Sequence, residues 1–130
     1  KKNVLRGFHF QSKFKQSKFV NVIKGKILDV VIDLRKNSKT FGKTFKIILS
    51  QKNALSLYIP AGFAHAYYSY DKENIIYYKL DNYYAPKYEN GIIFNDKKFK
   101  ISWPRKNMLI SKKDKNQPSF DNFLKKFKSL

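Results

Sequence analysis

Between residues 18 and 80 the chain passes through six short runs of β-branched and aromatic residues, each closed by a turn signal within a few positions. KFVNVIKG (18–25) alternates up to Gly25, and ILDVVIDLR (27–35) is β-branched and apolar before the turn KNSKT (36–40). TFKIILS (44–50) leads to QKNA (51–54), LSLYIP (55–60) stops at a proline, AHAYYSY (64–70) precedes DKEN (71–74), and IIYYKL (75–80) follows. Many short strands at this spacing indicate an all-β sandwich or barrel rather than alternating β and α units. The reading is a single β-barrel domain. Only the C-terminus departs from it: Phe120, Phe123, Leu124, Phe127 and Leu130 recur at helical spacing behind Ser119, a residue suited to an N-cap. Residues 119–130 are therefore expected to form a short amphipathic helix after a barrel spanning 1–118, with the Phe stripe packed inward and Lys125, Lys126 and Lys128 on the wet face.

A chain of 130 residues holds one domain with a real core. Its 42% hydrophobic and 17% aromatic content, chiefly 12 Phe and 9 Tyr, rules out a disordered basic tail. The richest apolar stretch, IIYYKLDNYY, is interrupted by Lys79 and Asp81, so no membrane partner is expected. Cysteine is absent, which removes disulfides and thiolate metal sites, and no apolar leader follows Lys1 and Lys2, so the expected compartment is the cytoplasm. The chain opens on KKNVLRG without an initiating Met, at what reads as the approach to a strand, so the protein is expected to begin earlier. A formal net charge of +19 first suggests nucleic acid, because clustered cations gain affinity by releasing counterions from phosphates. The distribution argues otherwise. Only Arg6, Arg35 and Arg105 are arginines, the residue that phosphate and base recognition favours, and the lysines are scattered from end to end. An anionic small substrate would gain from the same field.

Two histidines are the whole supply, His9 in GFHFQ and His65 in GFAHA. Period-two alternation puts Phe8 and Phe10 on one side of a strand and Gly7, His9 and Gln11 on the other, with Arg6 pointing as Phe8 does unless a bulge intervenes. On pattern alone, a lone histidine in a barrel is more often a hydrogen-bonded structural ring than a catalytic one. A metal centre is disfavoured too: there is no HxH pair, and only Glu73 and Glu89 are glutamates.

Six segments in order, VLRGFHFQ, KFVNVIKGKILDVVIDLRKNSKTFGK, LYIPAGFAHAYY, IIYYKLDNYYAPKYENGI, ISWP and LISKKD, resemble the dTDP-4-dehydrorhamnose 3,5-epimerases of deoxysugar biosynthesis. The resemblance covers about residues 3–118, and LRGFHFQ and IPAGFAH are its most specific parts. It implies a cupin-type jelly roll acting as a homodimer on a dTDP-sugar, without metal or organic cofactor. His9 then falls on the proton-abstracting base and Asp114, in SKKD, on the carboxylate that orients it. Alone, Asp114 among Lys112, Lys113 and Lys115 would pass for a solvated surface charge. Lys18 matches the cation beside the C4 carbonyl oxygen, where charge develops when a neighbouring proton leaves. Tyr78 matches the acid that returns a proton to the opposite face, although unaided it reads as a core strand aromatic.

The same resemblance carries Arg6 toward the nucleotide diphosphate, His65 near the sugar, Glu89 and Lys113 along the site, and Tyr84 over the sugar as a closing residue. Members of the family usually carry a sizeable segment ahead of VLRG, with an FxDxRGxF-like strand contributing nucleotide contacts across the dimer, and these 130 residues hold no match to it. Ala66 stands where a glycine is usual, and the loop between Gln11 and Lys18 is shortened. The expected activity is inversion at C3 and C5 of dTDP-4-dehydro-6-deoxy-D-glucose. A C3-only epimerase, a keto-isomerase of a related nucleotide sugar, and a non-catalytic jelly-roll binding module are the alternatives.

Overall fold

A computed structural model describes all 130 residues, Lys1 to Leu130. Nine strands form in order: β1 (Val4–Gln11), β2 (Lys18–Lys24), β3 (Lys26–Asp33), β4 (Thr44–Ser50), β5 (Ser56–Ile59), β6 (Phe63–Ser69), β7 (Ile75–Leu80), β8 (Glu89–Gly91) and β9 (Leu109–Ile110). A short helix α1 (Lys112–Lys115) and the terminal α2 (Phe120–Phe127) follow. The larger sheet runs β4-β3-β6-β1-β8, with β9 parallel beside β1, and the smaller runs β5-β2-β7. All other pairings are antiparallel. The two sheets make a cupin-type jelly roll, and no helix is long and apolar enough to cross a membrane.

Strand β3 is buried along nearly its whole length because the larger sheet is covered on both faces. One set of alternate side chains, Leu28, Val30 and Ile32, joins Phe8, Phe10, Ala64, Ala66 and Tyr68 in a core capped by Phe120 and Phe123 of α2. The other set includes Ile27 and Val31, which meet Val20, Val22 and Ile59 of the smaller sheet. Helix α2 starts at Ser119, whose hydroxyl accepts the Asn122 N–H at 3.3 Å. Its stripe is packing: Phe123 and Phe127 each meet the Phe10 ring edge-on, at 5.5 and 5.9 Å between centroids.

Strand β1 carries the bulge on which the direction of Arg6 depends. Against β6, Arg6 sits opposite Tyr67 but His9 sits opposite His65, one residue out of step. The extra residue turns Arg6 to the same face as His9, correcting simple alternation. Gly7 makes this possible. Its φ is +106°, and a Cβ there would lie 2.7 Å from the Ala66 Cα, so neither the backbone angle nor the space admits a side chain. The consequence is a face between the sheets that carries Arg6, His9, Asp29, His65 and Tyr67 from the larger sheet.

Candidate active site

At the open end of the inter-sheet space lies a cavity of about 270 Å³ whose walls include His9, Lys18, Tyr78, Tyr84 and Glu89. They come from four places: β1, β2, β7 with the segment after it, and β8. The smaller sheet supplies Lys18 and Tyr78 from adjacent strands, where Val20 pairs with Tyr78 and Lys18 with Leu80. All three of Lys18, Val20 and Tyr78 therefore share the inward face.

His9 is held from behind. Its Nε2 lies 2.6 Å from Asp114 Oδ1, and since a carboxylate only accepts, Nε2–H is the donor and Nδ1 carries the lone pair. Asp114 is not the solvated charge that its lysine neighbours suggest. Its side chain is 1% exposed, against 27% for the His9 ring. Helix α1 explains the burial: Ser111 caps it, accepting the Asp114 N–H at 3.0 Å and donating its hydroxyl to Asp114 Oδ2 at 2.7 Å. These two reciprocal bonds hold the carboxylate independently of His9, and the spacing Ser-x-x-Asp in SKKD is the readable signal for them. Arg6 Nη1 stands 3.9 Å from the other oxygen, a longer and half-exposed contact.

Burial has opposite effects on the two groups facing His9. It lowers the Lys18 amine below its ordinary value, against the attraction of Asp29 and Glu89, so less alkaline conditions suffice to discharge it. It pushes the Tyr78 phenol far up, with help from Tyr67 and Asp29, so that this hydroxyl keeps its proton across the neutral and moderately alkaline range. At the rim, Tyr84 donates its hydroxyl to Glu89 at 2.7 Å and Lys113 donates to the same oxygen. Burial works to raise Glu89, but these two bonds outweigh it and hold the carboxyl below its usual range.

Three of the expected binding residues do not line the cavity. His65 is sealed behind it, 6% exposed, with Nε2 2.8 Å from the fully buried Asp29 Oδ2; it touches the site through the edge of the Tyr78 ring, 6.3 Å between centroids. Arg6 lines a separate shallow depression with Tyr67 and Ser69. Lys113 reaches the site only through Glu89. Sequence reasoning overlooked Asp29, Tyr67, Gln11 and Ser111. Asp29 had a signal, a carboxylate in the apolar run ILDVVID, where burial demands a partner. No three His, Asp or Glu side chains converge to hold a metal ion. The arrangement offers a half-open histidine backed by a carboxylate, a half-buried amine and a protonated phenol around one small space, a set suited to moving protons beside a carbonyl.

Comparison with known proteins names the family. Residues 1–122 match the family model described as dTDP-4-dehydrorhamnose 3,5-epimerase. The epimerase of that name from Methanothermobacter thermautotrophicus is 43% identical over 118 residues, which are 88% of this chain and 64% of that protein, so the chain spans somewhat less than two thirds of this relative's length. The crystal structure of dTDP-4-dehydrorhamnose 3,5-epimerase from Elizabethkingia anophelis superposes with a TM-score of 0.89 at 40% identity, covering 93% of this chain and 68% of the other. The dTDP-6-deoxy-D-glucose-3,5-epimerase of Legionella pneumophila, solved with dTDP-4-keto-L-rhamnose, gives 0.88 at 38% identity, covering 92% and 64%. A family match over nearly the whole chain, with this identity and this superposition, shows that the chain belongs to the dTDP-4-dehydrorhamnose 3,5-epimerase family.

Proposed function

We propose that this chain carries the catalytic centre of an epimerase that inverts C3 and C5 of dTDP-4-dehydro-6-deoxy-D-glucose to give dTDP-4-dehydro-L-rhamnose. The observation that carries the reading is the single cavity walled by His9, Lys18 and Tyr78, with Asp114 2.6 Å behind His9. Family membership and the keto-rhamnose complex of the Legionella relative support the substrate class.

The C4 ketone makes the protons on its neighbouring carbons acidic. The free nitrogen of His9 takes one of them, and the C–H electron pair moves to form the enolate. His9 becomes an imidazolium, which Asp114 stabilises while keeping the ring turned into the cavity. Negative charge collects on the C4 oxygen, where the Lys18 ammonium lowers the barrier. Tyr78 then donates its phenolic proton to the same carbon from the opposite side, and the stereocentre is inverted. One proton has moved from substrate to His9 and one from Tyr78 to product, so both groups return to their starting states by exchange with solvent. Tyr84 and Glu89 bound the sugar at the rim, Lys113 acts there through Glu89, and Arg6, on the same face as His9, supplies positive charge toward the diphosphate. A nucleotide-activated sugar is expected in the cytoplasm. The working unit we propose is a homodimer, consistent with the exposed aromatic face that Phe19, Tyr58 and Tyr77 give the smaller sheet.

The test is incubation with the dTDP-4-keto sugar in heavy water. Deuterium at both C3 and C5 of an inverted product is the expected result. Label confined to C3 would make the chain a C3-only epimerase, and no label at either carbon would contradict the reading.

A further inference from the structure

Gln11 ends β1 with its side chain buried, 7% exposed, and takes no part in the proton transfers above. All of its carboxamide is engaged. Nε2 donates to the Phe14 carbonyl at 2.7 Å and to the Tyr83 carbonyl at 3.3 Å, and Oε1 accepts the Ala85 N–H at 2.7 Å. The first bond closes the turn 11–14, at the start of the segment 12–17 that carries Lys15 and Gln16 to the cavity wall and leads into Lys18. The other two grip the peptide groups on either side of Tyr84. The hydroxyl of Tyr84 is held by Glu89, and Glu89 is the residue opposite Gln11 in the β1–β8 register. One buried side chain thus joins two walls of the site, neither of which has regular secondary structure of its own.

Two other bonds join these segments, one exposed and one half-buried, and neither reaches the peptide groups that flank Tyr84. Gln16 donates to the Asn82 carbonyl at 2.9 Å on the exposed side, and the Ser17 N–H reaches Asp81 at 2.7 Å. We infer that Gln11 is a positioning residue that locks the Tyr84 segment to the Lys18 segment, so that the cavity is shaped before substrate enters. This rests on the epimerase reading for its kinetic arm only. A preformed wall lowers the ordering cost of binding, so loss of the lock falls on KM and leaves the chemical step largely intact.

Two variants separate the contributions. Gln11→Met keeps the length of the side chain and removes every bond; Gln11→Glu keeps an acceptor for Ala85 and removes both donors. Amide hydrogen exchange at Ala85, read by NMR without substrate, should speed up at least about tenfold in Gln11→Met, as expected for a lost buried hydrogen bond, and less in Gln11→Glu. In turnover assays KM should rise about tenfold in Gln11→Met, with kcat within about threefold of the parent. Exchange at Ala85 within twofold of the parent in folded Gln11→Met would overturn the lock, as would a fall in kcat at unchanged KM. A parent protein without turnover would overturn the reaction instead, and the Ala85 exchange would still decide the lock.

Discussion

The molecule contains the same chemical pair twice, in two settings. His9–Asp114 joins residues 105 apart in sequence at the edge of a cavity, with the ring 27% exposed and the carboxylate capped by a helix. His65–Asp29 joins adjacent strands β6 and β3 inside the sheet, 6% and 0% exposed, and Asp29 Oδ1 has no hydrogen-bond partner. Both bonds are short, 2.6 and 2.8 Å. Geometry of the pair therefore does not distinguish the proposed base from a structural ring. Access does: one ring opens on a space a substrate can enter, and the other is closed off by the rings of Tyr67 and Tyr78.

If access sets the roles, the two pairs should fail in different ways. His9→Asn should cut turnover by about 10²–10⁴-fold, the usual weight of a general base, while its urea midpoint falls by less than in the inner pair, because the ring is partly solvated and Asp114 keeps the Ser111 hydroxyl as a donor. Asp29→Ala should do the reverse in stability, costing about 1–3 kcal/mol in urea unfolding by leaving the buried His65 ring nitrogen without its partner. Equal losses of stability in the two variants would remove the distinction.

Smaller effects should appear in the pH profile. Because burial lowers Lys18, its ammonium is lost as pH rises through a value below that of an ordinary lysine, and the alkaline limb of kcat should sit there. Tyr78, pushed upward, keeps its proton through that range. Lys18→Arg should move the limb to higher pH, since a guanidinium stays charged. Asp29→Asn should move it lower, since Asp29 helps hold the proton on Lys18. Linkage gives a matching sign in stability. The folded protein binds the Lys18 proton more weakly than the unfolded chain, so protonation opposes folding, and stability rises with pH between the folded and the ordinary lysine values. Lys18→Met should therefore raise the urea midpoint at neutral pH while lowering turnover. A limb unmoved by both Lys18→Arg and Asp29→Asn would assign it to another group.

The strands between residues 18 and 80 were legible because alternation and turn residues recur at short intervals, and α2 because Phe120, Phe123, Leu124 and Phe127 keep helical spacing behind Ser119, although the helix stops at Phe127, so that Lys128 and Leu130 of the expected span 119–130 lie beyond it. Elements β8, β9 and α1 were not, having two to four residues each and no room for a period. For the site, resemblance directed attention to His9, Lys18, Tyr78 and Asp114, but the residues themselves look ordinary: one lysine among many, one tyrosine in an aromatic strand, one aspartate among lysines. Burial of Asp114 depends on a cap formed by Ser111, and the shared face of Arg6 and His9 depends on a bulge at Gly7. The bulge is set by pairing with β6, a tertiary fact, whereas the cap is local but spans only four residues among lysines. Gln11 escaped notice because its value lies in three bonds to distant backbone groups, which no local pattern encodes.

The central claim is that His9 removes a proton on one side of the sugar and Tyr78 returns one on the other. The direct test is Tyr78→Phe, which keeps the ring and its packing but deletes the hydroxyl. With dTDP-4-keto-6-deoxyglucose in heavy water, followed by mass and proton spectra of the recovered sugar, His9 should still form the enolate and hand back a solvent-derived proton to the face it came from. Deuterium should enter C3 or C5 without inversion, while His9→Asn should show neither exchange nor product. Inversion at the parent rate by Tyr78→Phe, or loss of exchange as complete as in His9→Asn, would contradict the account.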